Sequence, residues 1–90
     1  MKYLLILDAV SIPGKIYLYG KNDGYVTDGD TKYPALLCTE IKMDNPYYIF
    51  AKRELKESES HQSLFLPYGS VAMIYQIEKD QPTPIGFVHS

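Results

Sequence analysis

The stretch Asn45-Pro46-Tyr47-Tyr48-Ile49-Phe50-Ala51-Lys52-Arg53-Glu54-Leu55 decides whether the chain is all-β or carries a helix at its centre. Asn45-Pro46 has the form of a helix N-cap followed by proline at the first helical position, and Tyr47, Ala51 and Leu55 then recur at helical spacing. Against that, Tyr47-Tyr48-Ile49-Phe50 is a run of strand formers, and Asp44-Asn45-Pro46 is equally a hairpin turn. The balance favours a strand from Tyr47 to about Leu55, with one short helix at about 45–56 as the alternative.

On either side, segments with strand character alternate with turn signals at short spacing. Tyr3 to Leu7 is a continuous apolar run, which predicts a central strand buried on both faces. Pro13-Gly14 suits the middle of a type II turn, and Ile16 to Tyr19 then alternates, so the two runs read as a hairpin. Lys21 to Lys32 is a polar loop whose Asp-Gly steps allow a small hairpin around Tyr25-Val26. A strand is expected from Ala35 to Met43, started by Pro34, with Ala35, Leu37, Thr39, Ile41 and Met43 on one side. Glu57 to Ser63 is expected as a charged loop and Leu64 to Leu66 as a short strand. Val71 to Glu78 should turn Val71, Met73, Tyr75 and Ile77 inward. Ile85 to His89 should add a terminal edge strand. The stretch Leu64 to Ile74 has the strand–tight turn–strand form found in Sm-like and other small barrels, without a residue diagnostic of any. The fold class expected is all-β, as a small barrel or two-layer sandwich of about six short antiparallel strands.

Ninety residues with a 46% apolar share suit a single small domain with a thin stability margin. One cysteine, Cys38, excludes an internal disulfide and fits a reducing compartment. Asp8 ends the first apolar run too early for a signal peptide, and no run reaches the length of a membrane helix. A cytoplasmic protein with no membrane contact is expected. The formal charge of -2, with both signs mixed along the chain, disfavours nucleic acid unless folding gathers Lys52, Arg53 and Lys56.

The chemistry-bearing residues are sparse. Cys38, His61 and His89 show neither the arrangement of a nucleophile with its base nor zinc-ligand spacing. Asp23, Asp28 and Asp30 offer oxygen ligands, but an EF-hand register fails: with Gly24 at the sixth position, Tyr19 and Lys21 fall where carboxylates belong. Whether they bind a cation stays open beside the ordinary reading as turn residues. Asp8 and Glu40 are candidates for paired acid–base carboxylates because each interrupts an apolar run, although charged residues there are more often solvent-facing or at strand ends. There is no phosphate-binding glycine loop and no catalytic motif, so no cofactor is expected.

What remains is nine tyrosines with no tryptophan. Tyrosine joins a broad apolar ring to a polar tip and suits half-buried strands and binding surfaces alike. The function expected is a non-enzymatic binding or assembly module (adaptor, self-assembling barrel or inhibitor) using Tyr17, Tyr19, Tyr47, Tyr48 and Tyr75. Its partner would be another protein or a second copy, most simply a homodimer, with the segment Ile85 to Val88 offering a free edge. The alternatives are a weak single-stranded RNA or DNA binder and a small enzyme with an unrecognised site.

Overall fold

The computed structural model of the chain describes residues 2–55, 60–78 and 87–89. The strands are β1 (Lys2–Leu7), β2 (Gly24–Asp28), β3 (Thr31–Cys38), β4 (Glu40–Lys42), β5 (Tyr48–Glu54), β6 (His61–Pro67), β7 (Val71–Ile77) and β8 (Phe87–His89), with one helix, α1 (Ile12–Leu18). They form two antiparallel sheets, one in the order β7-β1-β3-β2-β8 and one in the order β4-β5-β6. The sheets make an open sandwich, not a closed barrel.

The ambiguous central stretch is strand β5. Ile49, Ala51 and Arg53 are buried while the residues between them face outward. Period two wins because it aligns Ile49 and Ala51 opposite Leu66 and Leu64 of β6. Asn45 spends its side chain on the turn: Oδ1 accepts from the amides of Tyr47 at 2.8 Å and Tyr48 at 3.2 Å.

The core lies between the sheets. Leu5, Leu7, Leu36 and Cys38 of the larger sheet meet Ala51 and Leu66 of the smaller, with Tyr17 of α1 closing one end. On the opposite face of the larger sheet, Leu4, Ile6 and Ala35 form a second cluster with Val26, Tyr33, Leu37 and Ile77. Strand β1 is therefore central and buried on both faces, as its apolar run predicts.

The expected hairpin at Ser11–Tyr19 is instead helix α1. Ser11 is extended (φ -73°, ψ 161°), and its Oγ accepts from the Gly14 amide at 3.0 Å. Proline in the first turn suits a helix start as well as a type II turn, and the Ser11 cap decides between them. Gly14 is required for close approach: a Cβ there would lie 1.8 Å from the Asp8 carbonyl oxygen. Only α1's inner side is covered, so Ile12, Ile16 and Tyr19 stay exposed.

The polar loop does hide a hairpin, β2–β3. Asp28 pairs with Thr31 across Gly29-Asp30, and Gly29 has the φ of +60° that a glycine-first hairpin turn needs. Pro34 lies inside β3, not at its start. The proline sits one residue beyond Ala35, the last β3 residue to pair with β1, so its missing N–H leaves that ladder intact. The long strand expected at 35–43 changes sheets at Thr39. That crossing puts Ile41 against the same core cluster as Leu36 and Cys38, although uninterrupted alternation would place it opposite them.

His61 to Ser63 belong to β6, not to a charged loop; residues 57–59 lie outside the described part. The Leu64–Ile74 stretch is no hairpin, because β6 and β7 belong to different sheets and the 3-10 turn Tyr68–Ser70 carries the chain between them. Ile6 pairs with Met73 and Leu7 with Val71, leaving Ala72 as a bulge. The extra residue puts Val71 with Ile74 on the core between the sheets, while Met73 and Tyr75 lie on the outer face and remain partly exposed. The terminal strand is β8, paired with β2; residues 85 and 86 lie outside the described part. No helix among the described residues is long and apolar enough to cross a membrane.

Candidate functional site

Alternation along β5 carries Arg53 inward, where it is 3% exposed. An isolated cation at such a position would be very unfavourable, so its partners matter. Nη2 donates to Asp23 Oδ2 at 3.0 Å, and Nη1 donates to the Lys21 carbonyl at 2.7 Å and to Gln62 Oε1 at 3.4 Å. The guanidinium carbon stands 5.8 Å from the centre of the Tyr17 ring, whose hydroxyl donates to the same Gln62 oxygen at 3.4 Å. Asp23 Oδ2 also accepts from the Leu37 amide at 2.7 Å. Lys21 is held at φ +63°, a left-handed geometry that turns its carbonyl into this cluster. The cluster ties α1, the start of β2, β3, β5 and β6 together. Arg53 Nε is buried without a hydrogen-bond partner.

A shallow groove of about 290 Å³ borders the cluster, lined by Lys2, Asp23, Leu37, Cys38, Thr39 and Glu54. Its chemistry is muted. Burial pushes the Cys38 thiol from 9.0 up to about 12, with Asp23 reinforcing the shift and Arg53 opposing it. The thiol is therefore protonated at neutral pH, and the thiolate is the nucleophilic form. Asp23 is already engaged by Arg53 and Leu37. Asp28 and Asp30 lie at the far end of the β2–β3 hairpin, about 15 Å of extended chain away, so the three aspartates are not brought together. Asp8 accepts from the Val10 amide through Oδ1, and Glu40 pairs with Lys42 at 3.3 Å on the surface. Among the described residues no three His, Cys, Asp or Glu side chains converge on a metal-sized site.

The outer face of the β4-β5-β6 sheet is different in kind. Phe50 and Phe65 are direct cross-strand partners, their ring centres 5.4 Å apart and their planes inclined at 61°. Lys42 Nζ stands 5.9 Å from the Phe50 ring centre. With Tyr48, Asp44 and Asn45 these residues line an open groove of about 220 Å³. Tyr68 fixes its end, its hydroxyl donating to the Asn45 carbonyl at 2.7 Å and the Met43 carbonyl at 3.3 Å. Phe65 is 66% exposed and Tyr47, beside the groove, 74%. A water-facing sheet surface normally carries polar residues; apolar rings gathered there mark a contact surface.

The five sequence-selected tyrosines do not share a surface. Tyr47 and Tyr48 meet at the head of β5. Tyr19 stands alone after α1, Tyr75 lies on the outer face of the other sheet, and Tyr17 is buried. Phe50, Phe65, Met43 and Lys42 escaped selection. Alternation alone places Phe50 with Tyr48, but only the β5–β6 register brings Phe65 beside them. Lys52 faces outward from β5 while Arg53 faces inward, so the basic patch considered from sequence is not gathered on one face; Lys56 lies outside the described residues. No family model, no curated protein and no solved structure matches the chain.

Proposed function

We propose that the chain is a non-enzymatic binding and assembly module that acts through protein–protein contacts on the outer face of the β4-β5-β6 sheet. The observation that carries this is the groove between Tyr48, Phe50 and Phe65, an aromatic floor held rigid by a cross-strand pair and a pinned turn. Rigid aromatic rings supply large contact area at little entropic cost, which suits the core of an interface. Lys42 and Asp44 give the rim both signs of charge. A protein segment that inserts an apolar side chain between the rings and pairs its polar atoms with this rim fits the site.

A single-stranded nucleic acid is the second reading, favoured by the lysine beside the Phe50 ring. The acidic neighbours Glu40 and Asp44 oppose it, because backbone binding depends on neutralising phosphates. The two readings separate in one comparison. Tagged chain and its Tyr47→Ser/Tyr48→Ser variant are expressed in the source cell, crosslinked and compared by quantitative mass spectrometry. The proposal expects specific proteins to be lost with the variant while circular dichroism is unchanged. Identical protein profiles for the two chains overturn it. Salt-dependent binding of a fluorescent single-stranded oligonucleotide, lost in the same variant, transfers the site to the second reading.

A further inference from the structure

We infer that a second copy of this chain pairs with the free edge of β6, extending the β4-β5-β6 sheet across a twofold axis at Leu64. The inference deepens the assembly reading by naming one partner and the register in which it binds.

The direction of every backbone group on β6 follows from its neighbours. Pro67 lies opposite Tyr48 but has no N–H to exchange, and the Tyr48 amide is already given to Asn45 Oδ1. That pair is therefore not hydrogen-bonded across the ladder. The Lys52 carbonyl accepts from the Thr39 amide, away from β6, while the Leu55 amide reaches the Ser60 carbonyl. All these contacts set one alternation: Ile49, Ala51 and Arg53 bond Leu66, Leu64 and Gln62. The amides and carbonyls of His61, Ser63 and Phe65 then point away from the sheet, while the Pro67 carbonyl is taken by Ser70 Oγ at 2.6 Å. All four residues are exposed, and among the described residues the only strand paired with β6 is β5.

The other sheet edges carry the usual defences. β4 has three residues and two of them, Glu40 and Lys42, are charged. β8 is equally short. β7 is broken by the bulge at Ala72. β6 is seven residues long, His-Gln-Ser-Leu-Phe-Leu-Pro, with no Lys, Arg, Asp or Glu and proline only at its end. Long, unbulged, uncharged edges are those that pair with another chain.

Edge and partner are self-complementary in one antiparallel register. With Leu64 opposite the partner's Leu64, Ser63 faces the partner's Phe65 and exchanges both ladder bonds, and the symmetric row repeats this. His61 falls opposite the partner's Pro67 at the exposed end of the ladder, so the two symmetric Ser63–Phe65 pairs hold the register. On the outer face Phe65 and the partner's Phe65 become diagonal neighbours, within reach of aromatic side chains. The Phe50–Phe65 pair thus continues into an aromatic stripe across both copies, and the small Ser63 leaves room for each ring.

Light scattering on a sizing column over roughly a hundredfold concentration range tests this, since such pairing follows mass action. Wild type should move from monomer to dimer. Ser63→Pro should stay monomeric, because the N–H it removes points outward and has no partner among the described residues. Phe65→Lys, an edge charge, should do the same, and serves if the proline variant does not fold. In the Cys38→Ala background, Leu64→Cys should form a disulfide-linked dimer on mild oxidation, since facing Cα atoms about 4.5 Å apart fall within disulfide range. His61→Cys, about 20 Å from its counterpart in this register, should not. A single 10.3 kDa wild-type species throughout the range overturns the inference, as does a folded Ser63→Pro or Phe65→Lys protein that dimerises like wild type. Either result leaves the Tyr47/Tyr48 comparison standing, so the two proposals fail separately.

Discussion

Gly14→Ala should destabilise this protein, although the same change inside a helix normally adds about 1 kcal/mol through propensity. The new Cβ would lie 1.8 Å from the Asp8 carbonyl oxygen and 2.8 Å from its carbon. Backbone, not a flexible side chain, must yield. The Asp8 carbonyl accepts from the Ser11 amide at 3.1 Å and from Ser11 Oγ at 2.6 Å, and the Asp8 amide donates to the Ser70 carbonyl at 2.8 Å. Displacing it forfeits the two Ser11 bonds, roughly 1 kcal/mol each. Overpacking adds about 1–3 kcal/mol. After subtracting the propensity gain, the net loss is about 2–4 kcal/mol. For a chain of this size total stability is about 5–13 kcal/mol, and the midpoint should fall by about 8–30 °C. Urea unfolding followed by circular dichroism measures it, with Ser11→Ala as the reference for loss of the cap alone, about 1 kcal/mol. A Gly14→Ala protein as stable as wild type, or more so, would falsify the close approach of α1 to Asp8.

Asp23→Leu should cost about 3–5 kcal/mol, because it strands the buried Arg53 cation, while the Asp23→Leu/Arg53→Met pair should cost far less; a double-mutant cycle with the Arg53→Met single, by urea unfolding, checks the coupling, and an Asp23→Leu loss below about 1 kcal/mol refutes it. Cys38 should titrate as a stability effect at high pH. Its folded value is raised from 9.0 to about 12, so the native state holds the proton longer: the contribution is full below pH 9.0 and is lost as pH rises through 12, at up to about 1.4 kcal/mol per pH unit. Cys38→Ala should lack that component, and a native thiol that reacts with Ellman's reagent as fast as the unfolded chain contradicts the burial. Asn45→Ala should cost about 1–2 kcal/mol through the two turn amides it caps; backbone amide exchange at Tyr47 and Tyr48 reports it, and unchanged protection at both removes the role assigned to Asn45.

The strands that sequence reading recovered are those in which the pattern and the tertiary requirement coincide. Tyr3–Leu7 is apolar throughout because it lies between two strands with clusters on both faces. β5 alternates because one of its faces is wet. The failures have a common cause too. Ser11-Ile12-Pro13-Gly14 carries turn chemistry and helix-start chemistry in the same residues, and the helix is selected by the Ser11 cap together with the packing of Tyr17 into the core between the sheets, a contact that the local pattern does not show. Pro34, the sheet change at Thr39 and the bulge at Ala72 depend on where the neighbouring strand ends. An alternating pattern cannot register an inserted residue, so by itself it puts Met73 and Tyr75 inward.

The candidate surface was hidden by the same non-locality, in a form that bears on function. Tyrosine count drew attention to five residues that the fold scatters, because abundance says nothing about adjacency. The groove depends on Phe50 standing opposite Phe65, fifteen positions apart in the chain, and that adjacency exists only once the β5–β6 register is set. Register in turn rests on the inner face, where Ile49, Ala51 and Arg53 meet Leu66, Leu64 and Gln62. The hydrophobic core and the Arg53–Gln62 bond therefore place the aromatic rings on the opposite side of the sheet. A slip of β6 by one residue would turn Leu64 and Leu66 outward, bury Ser63 and separate Phe65 from Phe50. Asp23 and the Lys21 carbonyl would still hold Arg53 after that slip and only the 3.4 Å contact to Gln62 would be lost, so the penalty comes chiefly from turning Leu64 and Leu66 out of the core.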